Sequence, residues 1–226
     1  MFNSLYRRWV SVLPCFGNGF VAGIILCLGC ILIFVTSALK LAANDINQFD
    51  QYIINAVSRV NSPLMTEIMK MITSMGSAAA MTTIVVVIWL GCFIYKKHWW
   101  GAAAGTIVLA GAWLMNALLK WMFHRGRPTG LKLVEAAGYS FPSGHAMISL
   151  AFYGIVGYLL WINLPSRAAR FLIVLLLAVL VLLIGISRIY LGVHFPSDVI
   201  AGFAAGGFIL IASILGLQAV GSTRRR

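Results

Sequence analysis

Acidic side chains are scarce in this sequence. Its 226 residues include 5 Asp and Glu against 17 Lys and Arg, and charged residues make up 10% of the chain whereas 61% are hydrophobic. A soluble domain has roughly 25% charged and 45–50% apolar residues, so that class of protein is excluded. The positive charge lies in short clusters between long apolar runs, which also argues against a disordered or nucleic-acid-binding chain.

Cysteine is also scarce, and no segment has the composition of a flexible linker. The 4 cysteines lie in or beside apolar runs. Cys27 and Cys30 have a redox-type spacing, but inside an apolar run this spacing is typical of packing residues. No low-complexity segment or extended linker divides the chain. We therefore expect one integral-membrane domain over residues 1–226.

Long apolar runs dominate what is present. A membrane-spanning helix needs about 20 apolar residues, and the sequence holds several such runs. The first run is long enough to span, so we interpret it as a retained helix and not as a cleaved signal peptide. The predicted fold class is all-α, a polytopic membrane protein with a six-transmembrane-helix bundle. The predicted spans are 18–40, 76–95, 100–121, 144–163, 171–188 and 197–218.

Charge asymmetry predicts the orientation of this bundle. An even number of spans places both termini on one side, where the basic residues have no acidic neighbour. By the positive-inside rule this side is cytoplasmic. We expect a multi-pass protein of the inner or plasma membrane, with cytoplasmic termini. The basic residues on the cytoplasmic side are Arg7, Arg8, Lys96, Lys97, Arg167, Arg170, Arg224, Arg225 and Arg226.

The opposite, outer face collects all five acidic residues and an amphipathic segment. Between residues 43 and 75, apolar side chains recur at helical spacing, as at Ile53, Val57 and Leu64. The spacing predicts an amphipathic helix or pair of helices in the membrane interface. An ordinary capping loop is the alternative. Small-residue steps from Gly101 to Gly105 and from Gly202 to Gly206 predict close helix contacts elsewhere.

The first segment whose residues could take part in a reaction follows the third predicted span. Lys120 and Arg127 would both reach the interface there, and Pro128 ends the helical path. Cationic anchors that extend to the membrane surface would explain the same residues.

The second segment opens the fourth predicted span. Ser143 is placed to cap the helix, and Gly144 would let a ligand approach the backbone. Free N–H groups and the positive end of a helix favour an anion, which His145 would also face.

The third segment joins the last two spans. His194 and Asp198 are four residues apart, and Pro196 is favoured in a first helical turn, so the carboxylate can lie beside the imidazole. An Asp bonded to one ring nitrogen leaves the other nitrogen available as a nucleophile. A satisfied His–Asp pair that closes a loop is the structural alternative.

Together the three segments favour phosphoryl chemistry. Basic side chains and backbone donors are what a phosphoryl group in transfer requires, and they act most strongly where water is excluded. So many polar groups at helix ends give a membrane protein no structural benefit, which makes function the default interpretation.

The three segments also resemble the three-part signature of the type 2 phosphatidic acid phosphatase superfamily, in order and in internal spacing. That superfamily includes membrane lipid phosphatases as well as soluble acid phosphatases, glucose-6-phosphatases and vanadium haloperoxidases. The matching motifs are Lys120-x6-Arg127-Pro128, Pro142-Ser143-Gly144-His145 and Ser187-Arg188-x5-His194-x3-Asp198.

The resemblance implies a role for each matching residue. His194 would be the nucleophile that forms a phosphohistidine, Asp198 would orient it, and His145 would protonate the leaving lipid oxygen. No metal and no other cofactor is implied. His124 and Arg125, inside the first motif, are assigned only headgroup contacts. The residues that would hold the phosphoryl oxygens are Lys120, Arg127, Ser143, Gly144 and Arg188.

The resemblance further implies a lipid phosphatase. An outward-facing site favours undecaprenyl diphosphate, the carrier used in cell-envelope synthesis. The alternatives are phosphatidylglycerophosphate or phosphatidic acid as substrate, or a phosphotransferase that uses the same site. A lipid-phosphate binder without activity is disfavoured because both His145 and His194 are present. The expected partners are the lipid phosphate and the bilayer, not nucleic acid, and the sequence does not determine the oligomeric state.

Overall fold

The computed structural model describes residues 18–43, 47–94, 100–130 and 132–223, and their regular structure is entirely α-helical. The expected all-α membrane fold is therefore confirmed. The helices in this part of the chain are α1 (Asn18–Ala42), α2 (Asn47–Ser58), α3 (Pro63–Met75), α4 (Ala78–Ile94), α5 (Trp100–Phe123), α6 (Gly144–Asn163), α7 (Arg167–Tyr190) and α8 (Pro196–Thr223).

Five of these helices, α1, α5, α6, α7 and α8, are each long and apolar enough to cross a membrane. The remaining predicted span, 76–95, corresponds to α4, which has 17 residues. A helix of that length is about 26 Å long and falls short of the roughly 30 Å hydrocarbon core. Together with α3, which meets it at a bend of 47°, α4 forms the sixth candidate span.

Helix α6 lies at the centre of the bundle and packs against α5, α7 and α8, while α1 packs against α8. In an 18-residue apolar stretch of each helix, 50% of the residues of α6 are buried, compared with 11% for α1 and 17% for α7. The exposed sides of α1 and α7 carry side chains such as Leu32 and Phe171. Helices that are apolar on all sides suit a lipid environment, where their backbone bonds are satisfied internally.

The closest helix contact joins α6 and α8. A Cβ atom at Gly202 would lie 2.7 Å from the Ser143 carbonyl oxygen, and one at Gly206 would overlap the Met147 carbonyl oxygen. The step from Gly202 to Gly206 is therefore a close contact, as predicted. The step from Gly101 to Gly105 is not, because a Cβ at Gly105 would meet nothing within 4 Å.

Residues 47–75 form the predicted amphipathic pair of helices, α2 and α3, and not a loop. Ser62 caps α3 by accepting a hydrogen bond from the Met65 N–H at 3.2 Å. Its own N–H donates to the Tyr190 hydroxyl at 3.2 Å, which ties the turn between α2 and α3 to the end of α7. Val57 and Met69 pack on the buried cluster of Tyr190, Leu191 and Val193.

Several residues behind the predicted orientation lie outside the described part of the chain. They are Arg7, Arg8, Asp45, Lys96, Lys97, Arg224, Arg225 and Arg226. Arg167 and Arg188 are described, and they mark opposite ends of α7. The assignment of these ends to the two sides of the membrane stays a prediction from charge.

The contact between α6 and α8 can be tested with a pair of alanine substitutions. Gly206→Ala places a methyl group against a backbone carbonyl, which cannot rotate away, so we expect a loss of about 1–3 kcal/mol in the free energy of unfolding. The control, Gly105→Ala, adds the same methyl group in open space, and higher helix propensity should leave stability equal or raised. Unfolding midpoints in detergent measure both variants. Equal midpoints would contradict the packing described for Gly206.

Candidate active site

The three polar segments converge at one end of the bundle. Lys120 lies in the last turn of α5, Arg188 lies in the last turn of α7, and His145 lies in the first turn of α6. The loop of residues 191–195 carries His194, and Asp198 lies in the first turn of α8. The Ser143 N–H donates to the Asp198 carbonyl oxygen at 2.9 Å, which joins the start of α6 to the start of α8.

His194 reaches this position through a tight turn after α7. Gly192 has a φ of +71°, a conformation that glycine adopts without strain. The N–H groups of Val193 and His194 both donate to the Arg188 carbonyl oxygen, at 3.2 and 3.3 Å. These bonds satisfy the end of the helix and turn the imidazole back towards the other segments.

The two ring nitrogens of His194 have different neighbours. Nδ1 lies 3.4 Å from Asp198 Oδ2, at the long end of the hydrogen-bonding range. Nε2 lies 3.3 Å from Arg127 Nη1. Because a guanidinium can only donate, we assign the ring proton to Nδ1 and the lone pair to Nε2. The same carboxylate oxygen accepts from the Phe195 N–H at 2.9 Å, which holds it in place.

Arg127 is held by backbone carbonyls. Its guanidinium donates to the carbonyl oxygens of Val193 at 2.8 Å, Gly138 at 3.0 Å and Ala137 at 2.8 Å. Carbonyl dipoles orient a cation without cancelling its charge. The positive charge beside His194 is therefore available to an anion.

Two further cations complete the charged surroundings. Lys120 Nζ donates to the Tyr139 carbonyl oxygen at 2.6 Å. Arg188 is 6% exposed, donates from Nη1 to Thr73 Oγ1 at 2.8 Å, and its buried Nε has no partner among the described residues. Neither side chain forms an ion pair within the described part of the chain. Lys120, Arg127 and Arg188 all lie near enough to His145 for their positive charges to act on it.

The start of α6 differs in two ways from the expectation. Ser143 occupies the N-cap position but makes no side-chain capping bond, and its fully buried hydroxyl has no partner among the described residues. Gly144 is constrained by packing, because a Cβ there would lie 2.8 Å from Asn116 Oδ1. The hydroxyl of Ser143 is a donor without an internal acceptor, as an anion site requires.

Arg125 has a different role from the predicted headgroup contact. Its guanidinium donates to Asp198 Oδ1 at 2.6 Å and to Asp50 Oδ2 at 2.8 Å, and it lies 4.0 Å from the centre of the Phe195 ring. The sequence contained one signal for Asp50. It shares the helical spacing of Ile53 and Val57, so this carboxylate lies on an apolar face and needs a buried partner.

Burial sets the charge state of His194. The pKa of the imidazole is lowered to about 4, chiefly by burial and in smaller part by the nearby Arg127 and Arg188, while the bond and the charge of Asp198 act in the opposite direction. The imidazole is therefore neutral near pH 7, with a lone pair on Nε2. Among the described residues, no group of three His, Cys, Asp or Glu side chains is placed to hold a metal ion.

Comparisons with known proteins identify the family of this chain. The PAP2 superfamily profile matches residues 100–221, more than half of the chain. Phosphatidylglycerophosphatase B of Bacillus subtilis is 35% identical over 77% of this chain and 86% of its own length. An undecaprenyl-diphosphatase of Sulfolobus acidocaldarius is 39% identical over 41% of this chain and 40% of its own length.

A solved structure shows the same architecture. The crystal structure of a transmembrane PAP2-type phosphatidylglycerolphosphate phosphatase from Bacillus subtilis superposes with a TM-score of 0.78 at 31% identity, covering 83% of this chain and 94% of that chain. The fold and these comparisons together define an integral-membrane lipid phosphatase. The chain belongs to the PAP2 superfamily.

The unpartnered hydroxyl of Ser143 gives a direct test of phosphate binding. Ser143→Ala breaks no side-chain hydrogen bond to any described residue, so we expect little change in stability but about tenfold weaker inhibition by inorganic phosphate. Ser140→Ala is the matched control, because that hydroxyl is equally buried but donates to the Gly126 carbonyl oxygen at 2.7 Å. The control should lose about 1 kcal/mol of stability. Unchanged phosphate inhibition in Ser143→Ala would exclude this hydroxyl from the site.

Proposed function

We propose that this chain hydrolyses the phosphate of a membrane lipid through a phosphohistidine at His194. The observation that carries the proposal is the pair of contacts on the imidazole. Nδ1 faces Asp198 at 3.4 Å and Nε2 faces Arg127 at 3.3 Å. A neutral ring with its proton held on one side and a cation on the other is prepared to attack a phosphoryl group that the cation binds.

In the first step, Nε2 forms a bond to phosphorus while the bond from phosphorus to the lipid oxygen breaks. His145 gives its proton to that oxygen, and the lipid leaves. In the second step, water attacks phosphorus, His145 takes a proton from the water, and inorganic phosphate leaves His194. The groups that would hold the phosphoryl oxygens are Lys120, Arg127, Arg188, the Ser143 hydroxyl and the Gly144 N–H.

The charge pattern supports an outward-facing site. Arg167 and Arg170, which have no acidic neighbours in sequence, begin α7, while Arg188 of the site lies at its other end. With the Arg167 end cytoplasmic, the site faces the extracytoplasmic side of the inner or plasma membrane. The favoured substrate is then undecaprenyl diphosphate, a lipid exposed on that side. We also propose that the whole chain acts as one domain.

Phosphatidylglycerophosphate is the second candidate substrate. It is favoured by the identity of 35% with phosphatidylglycerophosphatase B, over 86% of that protein. Phosphate release from the two lipids and from phosphatidic acid, measured side by side in detergent with a chelator present, separates the candidates. Product analysis with an added acceptor lipid separates a hydrolase from a phosphotransferase.

The covalent step can be tested at His194. His194→Ala removes the attacking nitrogen, so turnover should fall by roughly 10⁴-fold or more, as when other nucleophiles are removed. The wild-type protein, quenched during turnover of a lipid with labelled phosphate, should carry an acid-labile and alkali-stable label. The variant should carry none, and an unchanged unfolding midpoint is the control for its fold. A variant that still turns over would exclude His194 as the nucleophile.

The acidic side of the pH profile is the second test. Protonated His194 cannot attack, and burial lowers its pKa to about 4, so activity should persist to about pH 5 and be half-maximal near pH 4. The phosphate of the substrate itself titrates near pH 6 and could produce its own limb in the profile. The profile is therefore measured with a lipid monophosphate and with a lipid diphosphate. The limb due to His194 lies at the same pH with both. A common limb near 6.5, the ordinary histidine value, would contradict the buried neutral imidazole.

A further inference from the structure

A buried cluster of charges lies behind the His–Asp pair. Arg125 bridges two carboxylates, with 2.6 Å from Nη1 to Asp198 Oδ1 and 2.8 Å from Nη2 to Asp50 Oδ2. Ser197 completes this bridging cluster, because its N–H and hydroxyl donate to the two oxygens of Asp50 at 2.9 and 2.6 Å. The exposed fractions of the side chains are 9% for Arg125, 1% for Asp50 and 0% for Asp198.

The members of the bridging cluster come from distant parts of the chain. Asp50 belongs to α2, Arg125 to the loop after α5, and Ser197 and Asp198 to the first turn of α8. Asp50 also lies outside residues 100–221, the range that the superfamily profile matches. The cluster therefore connects the amphipathic helices to the reacting histidine through two ion pairs.

Charge counting shows what Asp50 contributes. Two carboxylates and one guanidinium give the cluster a net charge of about −1 in ordinary ionisation states. Without the charge of Asp50, Arg125 would neutralise Asp198 and the net charge would be about zero. Such differences act strongly where water is excluded and the effective dielectric constant is low.

The charged and titratable groups that face His194 make this balance important. Arg127 and Arg188 are cationic, and His145 is a second imidazole. Among the described residues, Asp198 is therefore the source of negative charge beside the ring. A ring that bonds phosphorus through Nε2 and keeps its proton on Nδ1 is cationic, and it needs that negative charge.

We propose that Asp50 is a positioning residue for His194, acting through Arg125 and Asp198. By pairing with Arg125, Asp50 keeps that guanidinium from offsetting the whole charge of Asp198 and holds it in place, so that net negative charge stays directed at Nδ1 when the ring becomes cationic. This proposal rests on the proposed function of His194 as the nucleophile. Asp50 touches no reacting atom and is not itself a catalytic residue.

The experiment compares Asp50→Asn, Arg125→Gln and the double variant. The Asp50→Asn variant should lose about tenfold to a hundredfold in kcat, as misplaced catalytic groups do, while KM changes little. In the double variant the net charge of the cluster returns to about −1. The double variant should therefore lose less activity than the product of the two single losses, which is the signature of coupled sites.

The acidic limb of the pH profile distinguishes positioning from a purely structural role of Asp50, because a structural role would not shift the limb in opposite directions in the two variants. Asp50→Asn removes negative charge near His194 and should move the limb to lower pH. Arg125→Gln removes positive charge and should move it to higher pH. The matched control is Glu67→Gln, because Glu67 of α3 is an exposed acid whose one ion-pair partner among the described residues is Lys70, at 2.9 Å. It should leave kcat and the limb unchanged.

The outcomes separate this proposal from the proposed function. If His194→Ala keeps its activity, the nucleophile assignment fails and the role of Asp50 fails with it. If His194→Ala is inactive but Asp50→Asn keeps the wild-type kcat, only the role of Asp50 is overturned. The role of Asp50 would also be overturned if the acidic limbs of the pH profiles stay in place and the losses in kcat multiply in the double variant. Should Asp50→Asn not fold, Arg125→Gln decides, because an unmoved limb contradicts the charge balance.

Discussion

The close contact between α6 and α8 is the constraint on which the site depends. Gly202 and Gly206 remove the side chains that would separate the two helices, and a Cβ at Gly202 would lie 2.7 Å from the Ser143 carbonyl oxygen. The same approach lets the Ser143 N–H donate to the Asp198 carbonyl oxygen at 2.9 Å. Two helix N-termini therefore meet at one point. Each contributes a positive end, one carries the unpartnered Ser143 hydroxyl, and the other carries the carboxylate that faces His194.

Around that point the molecule separates two kinds of charge. The cations that face the anion site, Arg127 and Lys120, are held by backbone carbonyls, so their charge is not cancelled within the described residues. Behind His194, the cation Arg125 is saturated by two carboxylates. In the proposed mechanism, a phosphoryl group would meet positive charge on one side of the imidazole, and the cationic ring that results would meet negative charge on the other. This arrangement suits covalent catalysis at phosphorus, because each charge has a partner that is already in place.

The sequence pointed to the three motifs because their information is local. The pairing of His194 with Asp198 depends on a short loop and the first turn of α8, and a glycine step depends on the geometry of one helix. The boundary between α3 and α4 falls where the sequence placed the start of a span, at residue 76, but the pairing of these helices into one candidate span with a bend of 47° at Gly76 was not predicted. A Cβ there would lie 3.0 Å from His145 Cδ2 and 3.2 Å from Ser149 Oγ. The bridge from Asp50 to Arg125 was also missed, because it joins residues 75 positions apart.

The partners of the site cations explain why the amphipathic helices belong to it. Arg188 donates to Thr73 of α3 at 2.8 Å, and Arg125 donates to Asp50 of α2 at 2.8 Å. Both partners precede residue 100, where the superfamily profile begins, although both arginines lie within the matched range. A bundle without α2 and α3 would leave buried N–H groups of Arg125 and Arg188 without these acceptors, and a buried donor that loses its acceptor is destabilising. The geometry of the motif therefore depends on residues outside the motif, which is a physical reason for the whole helical assembly to act as one unit.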